Sequence, residues 1–218
     1  MLSRPAFSLR CVLIAAVAFG CFVALGKEVV AHGEPPALLA WQQSLVNHST
    51  LIAWWLTWTC YPDALIPIAI VLLVVAWRVP AWRSRVILSV VVLLLCWRGA
   101  DFFQHLFSRP RQLDWVVKHE TSFSYPSSHA TIATGFYAFW ALMLAGSELP
   151  RTIRRLAASL LVLLALAICW ARLALGAHYV TDLIGGALLG VAIVSVALAI
   201  VPVNIFAPVA GRASRAEE

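Results

Sequence analysis

Charged residues are scarce in this chain of 218 residues: Asp, Glu, Lys and Arg make up 12% of it, and hydrophobic residues make up 62%. Ordinary globular domains contain about 25% charged and roughly 45–50% apolar residues. A soluble core of this size cannot hide so many apolar side chains, and a disordered chain has few of them. The composition argues against both classes and favours a multi-pass membrane protein.

The sequence also lacks a Cys-x-x-Cys pair, a glycine-rich phosphate-binding loop and a recognisable internal repeat. Its five cysteines lie in or beside apolar stretches: Cys11, Cys21, Cys60, Cys96 and Cys169. We expect them to be packing residues rather than a disulfide framework. The spacing of histidine and cysteine does not provide a zinc site. We therefore expect neither a metal nor a cofactor.

Long apolar runs are abundant. Six of them approach the ~17–25 residues that a helix needs to cross about 30 Å of hydrocarbon. They cover residues 11–26, 62–77, 86–106, 129–147, 156–175 and 178–203. We predict an all-α fold of six transmembrane helices, with residues 1–218 forming one membrane-embedded domain that ends in a short tail over 205–218.

Basic residues orient these spans. Ten of the sixteen fall at the termini and in alternate connections: Arg4, Arg10, Arg78, Arg83, Arg85, Arg151, Arg154, Arg155, Arg212 and Arg215. With Glu148, Glu217 and Glu218 that side carries a net charge of +7, whereas the opposite side carries −1. The positive-inside rule places the +7 side, both termini and the tail in the cytoplasm. The net charge of +6 is thus a topology signal rather than a sign of nucleic-acid binding.

Two N-terminal features leave alternatives open. Arg10, the apolar run after it and residues 29–31 have the order of a weak signal peptide, but its cleavage would leave five spans and contradict the charge pattern. Residues 27–61 carry leucines and tryptophans at roughly helical spacing. This predicts an amphipathic helix at the outer interface, either as an aromatic belt or as a platform for a lipid.

All six histidines lie on the outer side: His32, His48, His105, His119, His129 and His178. Three segments there collect polar residues at the outer ends of spans, namely 102–110, 125–129 and 172–182. His178 and Asp182 are four residues apart at the start of a helix, so they share a face. A carboxylate there holds one imidazole nitrogen as N–H and leaves the other as a nucleophile or base.

The other two segments supply groups that bind anions. Arg109 and Arg172 at a membrane boundary form a clamp for a phosphoryl group. Ser127 and Ser128 open a helix whose first N–H groups favour an anion. His129 is a second imidazole, suited to protonating a leaving oxygen. Together these residues predict metal-free phosphoryl transfer through a phosphohistidine.

The three segments resemble the tripartite motif of the type 2 phosphatidic acid phosphatase family, in the lipid phosphatase and haloperoxidase superfamily. The family pattern is K-x6-R-P, then P-S-G-H, then S-R-x5-H-x3-D. This chain has Arg109-Pro110, then Pro126-Ser127-Ser128-His129, then Ala171-Arg172-x5-His178-x3-Asp182. The motif core covers about residues 98–182, and the order, the spacing and the six-span layout agree with the family.

The resemblance implies the role of each matching residue. His178 is the nucleophile, Asp182 orients it and His129 is the general acid. Arg109, Arg172, Ser127 and the Ser128 backbone amide bind phosphate, without a metal.

The resemblance also implies an activity: a lipid phosphatase of the bacterial cytoplasmic membrane, with its site on the periplasmic face. Candidate substrates are undecaprenyl diphosphate, phosphatidic acid, phosphatidylglycerol phosphate and lipid A phosphates. Membrane lipids are the expected partners. Two alternatives stay open, namely a phosphotransferase with a lipid or sugar acceptor, and a non-catalytic transporter or lipid-binding protein on the same frame.

Three positions depart from the family pattern. The first-motif lysine falls on Phe102, while Ser128 replaces a glycine and Ala171 replaces a serine. Arg98, one helical turn before Phe102, is a candidate substitute for the lysine. Alternatively it pairs with Asp101 at i, i+3 and so neutralises a charge near lipid.

Other polar residues of the outer side have weaker assignments. His105 shares the face of Arg98. Arg111, Lys118 and His119 are expected either to touch a lipid headgroup or to be solvated. We interpret His32 and His48 as interfacial loop residues.

Overall fold

The computed structural model describes residues 4–46, 50–111, 120–147 and 149–201. His48, Lys118, His119 and the tail 205–218 therefore lie outside the described residues. The helices are α1 (Arg4–His32), α2 (Pro36–Gln43), α3 (Thr50–Trp58), α4 (Pro62–Arg78), α5 (Arg83–Phe107), α6 (Ser128–Ile132), α7 (Ala138–Ala145), α8 (Arg151–Ala174) and α9 (Val180–Ile200). A 3₁₀ turn (Pro80–Trp82) precedes α5, and a π-helical turn (Ala133–Tyr137) joins α6 to α7. No strand occurs in these ranges, so the all-α prediction is confirmed.

The helices are those of a multi-pass membrane protein. Four segments are long and apolar enough to cross a bilayer: Ala6–His32, Pro80–Phe107, Arg151–Ala174 and Val180–Ile200. Helices α3 and α4, bent by 42° at their junction, together form a fifth candidate. The predicted span 129–147 corresponds to α6, the π-helical turn and α7 in succession. The number six stays a prediction.

Contacts at the two ends of the bundle show that the first and last helices run antiparallel. At one end the Ser8 hydroxyl donates to the Ala199 carbonyl at 3.2 Å. At the other end the Thr181 amide, in the first turn of α9, donates to the Glu34 carboxylate just beyond α1 at 3.3 Å. The polar segments after α5, before α6 and between α8 and α9 meet at this second end.

Glycines of α9 let it lie directly against α6. A Cβ atom on Gly186 would lie 2.5 Å from the Ser127 carbonyl oxygen, and one on Gly190 would lie 2.9 Å from the Thr131 carbonyl oxygen. Small residues four apart allow membrane helices to approach this closely. The approach puts the Ser127 amide within 3.0 Å of the Asp182 carbonyl oxygen.

The core and the lipid-facing surface have distinct compositions. The main apolar core contains buried residues of α5, the π-helical turn and α8, including Cys96, Phe136 and Ile168. Many large apolar side chains on the outside of the bundle are exposed, among them Leu73 and Leu163. Such a continuous exposed apolar surface suits lipid rather than water.

The region after the first span differs from the predicted single amphipathic helix. Helix α1 continues to His32 and ends at Gly33, whose φ of +79° suits glycine. Two short helices follow, α2 and α3, and Pro36 begins α2 where its missing N–H has no cost. The Gln42 side chain of α2 is buried and donates to the His178 carbonyl oxygen at 2.6 Å. Helix α2 therefore covers the polar end of the bundle.

Candidate active site

A buried histidine and carboxylate form the centre of the polar cluster. His178 Nδ1 lies 3.3 Å from Asp182 Oδ2, and both side chains are fully buried. Asp182 Oδ2 also accepts from the Tyr179 amide at 2.9 Å and from the Ser124 hydroxyl. Because a carboxylate accepts, Nδ1 carries the hydrogen and Nε2 keeps its lone pair. Gly176, with φ of +64°, turns the chain from α8 towards this pair.

The surroundings of His178 keep its ring neutral. Burial lowers the pKa of His178 well below its ordinary value, and the nearby guanidinium groups of Arg111 and Arg172 lower the pKa further, against the opposing effect of Glu120. A neutral imidazole is the nucleophilic form of histidine.

Arg111 donates to the other ring nitrogen of this histidine. Its Nη1 lies 3.2 Å from His178 Nε2. The guanidinium also donates to the Ala177 carbonyl at 2.8 Å, to the Ser122 carbonyl at 2.6 Å and to the Ser122 hydroxyl at 2.8 Å. The sequence interpretation left Arg111 solvated or at a lipid headgroup. The structure places it against His178 Nε2.

Arg172 provides the second cation of this face. It lies in the last turn of α8 and is fully buried, and its guanidinium donates to the Thr57 hydroxyl at 3.4 Å. Its Nη2 also lies 3.5 Å from Glu120 Oε1. Arg172 and Arg111 are therefore two guanidinium groups near His178, and both contact Glu120.

A single carboxylate links these two arginines. Glu120 Oε2 lies 3.4 Å from Arg111 Nη2, and Glu120 Oε1 accepts from the Tyr61 hydroxyl at 2.7 Å. Burial by itself raises the pKa of Glu120, but Arg172 and Arg111 overcome this effect and lower the pKa to about 2. Glu120 is thus an anion at neutral pH.

Arg109 contacts Asp182 rather than His178. Its Nη1 donates to Asp182 Oδ1 at 2.6 Å and to the Thr181 hydroxyl at 2.9 Å, and its Nη2 donates to Glu34 Oε2 at 3.1 Å. The guanidinium also lies over the Tyr179 ring, 4.1 Å from the centroid. Arg109 is only 3% exposed, and two carboxylates engage it. Its predicted contact with phosphate stays a prediction.

His129 lies on α6 with one ring nitrogen unpaired. Its ring packs edge-on against the Tyr61 ring at 5.0 Å between centroids, and it is hydrogen-bonded to the Thr57 backbone. Its Nε2 is buried and has no hydrogen-bond partner among the described residues. Buried polar atoms seldom stay unpaired unless they have a functional task.

The serines at the start of α6 have different environments. Ser127 is buried and caps the helix, because its hydroxyl accepts from the Ala130 amide at 3.4 Å. Ser128 is half-buried at the first position of the helix. Their predicted contacts with phosphate stay predictions.

Comparison with known proteins identifies the family. The pattern of the PAP2 superfamily matches residues 9–206, which is most of the chain. The chain belongs to the PAP2 superfamily. Its fold is also similar to the crystal structure of a transmembrane PAP2 type phosphatidylglycerolphosphate phosphatase from Bacillus subtilis, with a TM-score of 0.59 and 21% sequence identity over 90% of this chain and 94% of that one. No curated protein sequence matches the chain significantly.

The K-x6-R spacing of the first PAP2 motif can also be read two residues further along, so that it ends at Arg111. Measured back from Arg111, the K-x6-R spacing begins at Gln104 instead of Phe102. Gln104 is buried and donates to the Pro126 carbonyl at 2.9 Å, whereas Phe102 is 62% exposed. The same spacing read from position 104 was the signal that could have indicated Arg111. Nothing in the sequence singled out Glu34 or Glu120.

The structure does not bring Arg98 into this cluster. Its side chain is exposed, and its guanidinium lies 5.6 Å from the centroid of the Trp97 ring. Asp101, the alternative partner of Arg98, lies 3.9 Å from His105 instead. The His32 side chain pairs with Glu28 at 3.0 Å on the exposed end of α1. Across the described ranges, no group of three or more His, Cys, Asp or Glu side chains is arranged to hold a metal ion.

Proposed function

We propose that this PAP2 protein is a membrane lipid phosphatase that works through a phosphohistidine. The observation that carries the proposal is the environment of His178. Its Nδ1 is bound to Asp182, and its Nε2 faces the guanidinium of Arg111 at 3.2 Å. A neutral nucleophile beside two cations suits attack on a phosphate ester, because the cations stabilise the charge of the transferring group.

The first step forms the covalent intermediate. When the phosphate binds, the Arg111 N–H that Nε2 accepts turns to a phosphoryl oxygen. His178 Nε2 then attacks phosphorus, the ester oxygen leaves, and the phosphoryl group becomes bound to the ring. Asp182 stabilises the positive charge that develops on the imidazole. Arg111 and Arg172 bind the phosphoryl oxygens. Arg109 is assigned to hold Asp182 in its ionised form instead of binding phosphate.

The second imidazole moves the proton. His129 acts from its protonated, imidazolium form: it gives the Nε2 proton to the leaving oxygen, which releases the dephosphorylated lipid and leaves His129 neutral. The neutral His129 then removes a proton from water, and this water attacks the phosphohistidine to give orthophosphate and free His178. The unpaired, buried Nε2 of His129 supports this role. Ser127 and the Ser128 amide are proposed to bind the same phosphate, as the family motif implies.

The substrate and the membrane side complete the proposal. A lipid phosphate or diphosphate enters with its tail in the bilayer and its headgroup at the polar end of the helices. The charge distribution of the loops supports cytoplasmic termini and a site on the periplasmic face of a bacterial inner membrane. We propose that the reaction needs no metal. The similar Bacillus subtilis protein is a phosphatidylglycerolphosphate phosphatase, which makes phosphatidylglycerol phosphate one of the candidates.

A phosphate-release screen tests this function. Purified protein is incubated in EDTA with phosphatidic acid, phosphatidylglycerol phosphate, undecaprenyl diphosphate and lipid A. We expect stoichiometric orthophosphate from at least one lipid, its complete loss in His178→Ala, and normal release in the control His32→Ala. A phosphorylated acceptor in place of orthophosphate would indicate a phosphotransferase. Wild-type protein that releases nothing from any lipid would leave only a non-catalytic role.

A further inference from the structure

Glu120 occupies the position where the proposed mechanism needs the substrate's phosphate. Its two carboxylate oxygens face the two guanidinium groups beside His178, at 3.4 Å from Arg111 and 3.5 Å from Arg172. A phosphate bound by the same arginines would compete with this carboxylate for the same donors, because both groups are anionic acceptors.

The contacts of Glu120 are those of an exchangeable anion. Its contacts with the two arginines, at 3.4 and 3.5 Å, are long for charged hydrogen bonds, which are usually about 2.7–2.9 Å. The Arg109–Asp182 pair is 2.6 Å and its carboxylate is fully buried, whereas the Glu120 side chain is 16% exposed. Glu120 can therefore leave its position more readily than Asp182.

The arginine beside the nucleophile does not depend on Glu120 for its position. Arg111 donates to the Ser122 carbonyl and hydroxyl and to the Ala177 carbonyl, all at 2.6 to 2.8 Å. The guanidinium thus stays at His178 when the carboxylate moves away, ready to bind another anion.

Charge balance makes this exchange selective. The two arginines carry two positive charges, and Glu120 cancels one of them. A terminal phosphate carries about −1.5 to −2 at pH 7, so its entry neutralises the pair better than the carboxylate does. A phosphodiester carries a single charge and gains nothing over Glu120. Bulk phospholipids surround the site and present mainly phosphodiesters.

We propose that Glu120 is a resident counterion, which the terminal phosphate must displace and which excludes the phosphodiester headgroups of bulk phospholipids. The inference rests on the proposed function, since it concerns the same phosphate site. Under this proposal Glu120 is a specificity-determining residue. A dianionic phosphate displaces the Glu120 carboxylate from the arginines, and the carboxylate later displaces the orthophosphate product.

Orthophosphate binding to the full-length protein in micelles tests the exchange without requiring turnover. In Glu120→Gln we expect the dissociation constant for orthophosphate to fall about tenfold or more, because no carboxylate competes for the arginines. Glu28→Gln, which removes an exposed carboxylate outside the site, is the matched control and leaves the constant unchanged. Unchanged or weaker phosphate binding in Glu120→Gln overturns the inference, since a carboxylate that only orders the arginines gives that sign.

Two further measurements keep the result interpretable. Tyr61→Phe removes the hydroxyl that donates to Glu120 at 2.7 Å and also contacts Arg172, but it changes no charge. We expect it to tighten orthophosphate binding too, because both Glu120 and Arg172 lose a competing partner. Phosphatidylglycerol, a phosphodiester, should inhibit turnover competitively in Glu120→Gln and not in the wild type. Equal inhibition of both proteins overturns the selectivity. If Glu120→Gln binds orthophosphate more tightly but the wild type releases no phosphate from any lipid, the proposed function alone is refuted. If the wild type releases phosphate but binding is unchanged in Glu120→Gln, this inference alone is refuted.

Discussion

Removing the cation between Glu34 and Asp182 should destabilise the protein strongly. Arg109 is 3% exposed, Glu34 2% and Asp182 fully buried, so Arg109→Met leaves two carboxylates without their cation in a site that excludes water. Breaking a buried ion pair by removal of one partner costs about 3–5 kcal/mol. For a chain of this length 1 kcal/mol shifts the melting temperature by roughly 2–4 °C, which gives a loss of about 6–20 °C.

A second substitution separates this explanation from simple loss of packing. Glu34→Gln removes one of the two uncompensated charges, while its amide oxygen can still accept from Thr181. We expect the double variant Arg109→Met/Glu34→Gln to regain about half of the lost stability, because coupled sites are not additive. The assay is the melting midpoint in micelles, followed by the fluorescence of the ten tryptophans.

The matched control is Glu28→Gln in the same Arg109→Met background. Glu28 is 67% exposed on α1, so its neutralisation should recover nothing. The electrostatic reasoning is refuted if Arg109→Met melts within about 2 °C of the wild type, less than the smallest shift expected here. A double variant that melts no higher than Arg109→Met refutes it as well.

Two other predictions concern the nucleophile and its neighbours. Arg111→Ala should lower kcat/KM by about 100-fold, which is the usual effect of losing one donor to a developing oxyanion. Arg98→Ala should leave kcat/KM within about twofold of the wild type. If a phosphate-release assay gives the reverse order, Arg98 is again the candidate that substitutes for the lysine. Because the pKa of His178 lies well below its ordinary value of 6.5, the neutral nucleophile persists as the pH falls, and the acid limb of kcat/KM should lie below pH 6.5. A limb above pH 6.5 would show that the ring is not shielded by burial and by Arg111.

Local helix geometry explains which parts of the site could be predicted from the sequence. His178 and Asp182 are four residues apart where a helix begins, and this spacing alone puts them on one face. The direction that the chain takes after α5 cannot be predicted from residue spacing within one helix. Ser108 adopts a left-handed conformation, with φ of 49°, and the non-helical residues after it direct Arg109 to Asp182 and Arg111 to His178.

The two glutamates show the limit of sequence patterns more clearly. Glu34 and Glu120 lie in connections, and neither belongs to a periodic or spaced motif. Only the packing of α1 against α9 brings Glu34 to Arg109, and only the tertiary fold brings Glu120 to Arg172. The all-α architecture, by contrast, follows from long apolar runs, because a lipid environment leaves few alternatives to helices.

The hydrogen bond from the Thr181 amide to Glu34, which lies 147 positions earlier in the chain, has a consequence for biogenesis. Translation and membrane insertion proceed from the N-terminus, so the first helices enter the bilayer long before the last one is synthesised. Until then Arg109 has no Asp182, and His178 has no carboxylate to fix its tautomer. A chain whose synthesis stops before the final helix therefore lacks the histidine–carboxylate pair of the proposed mechanism.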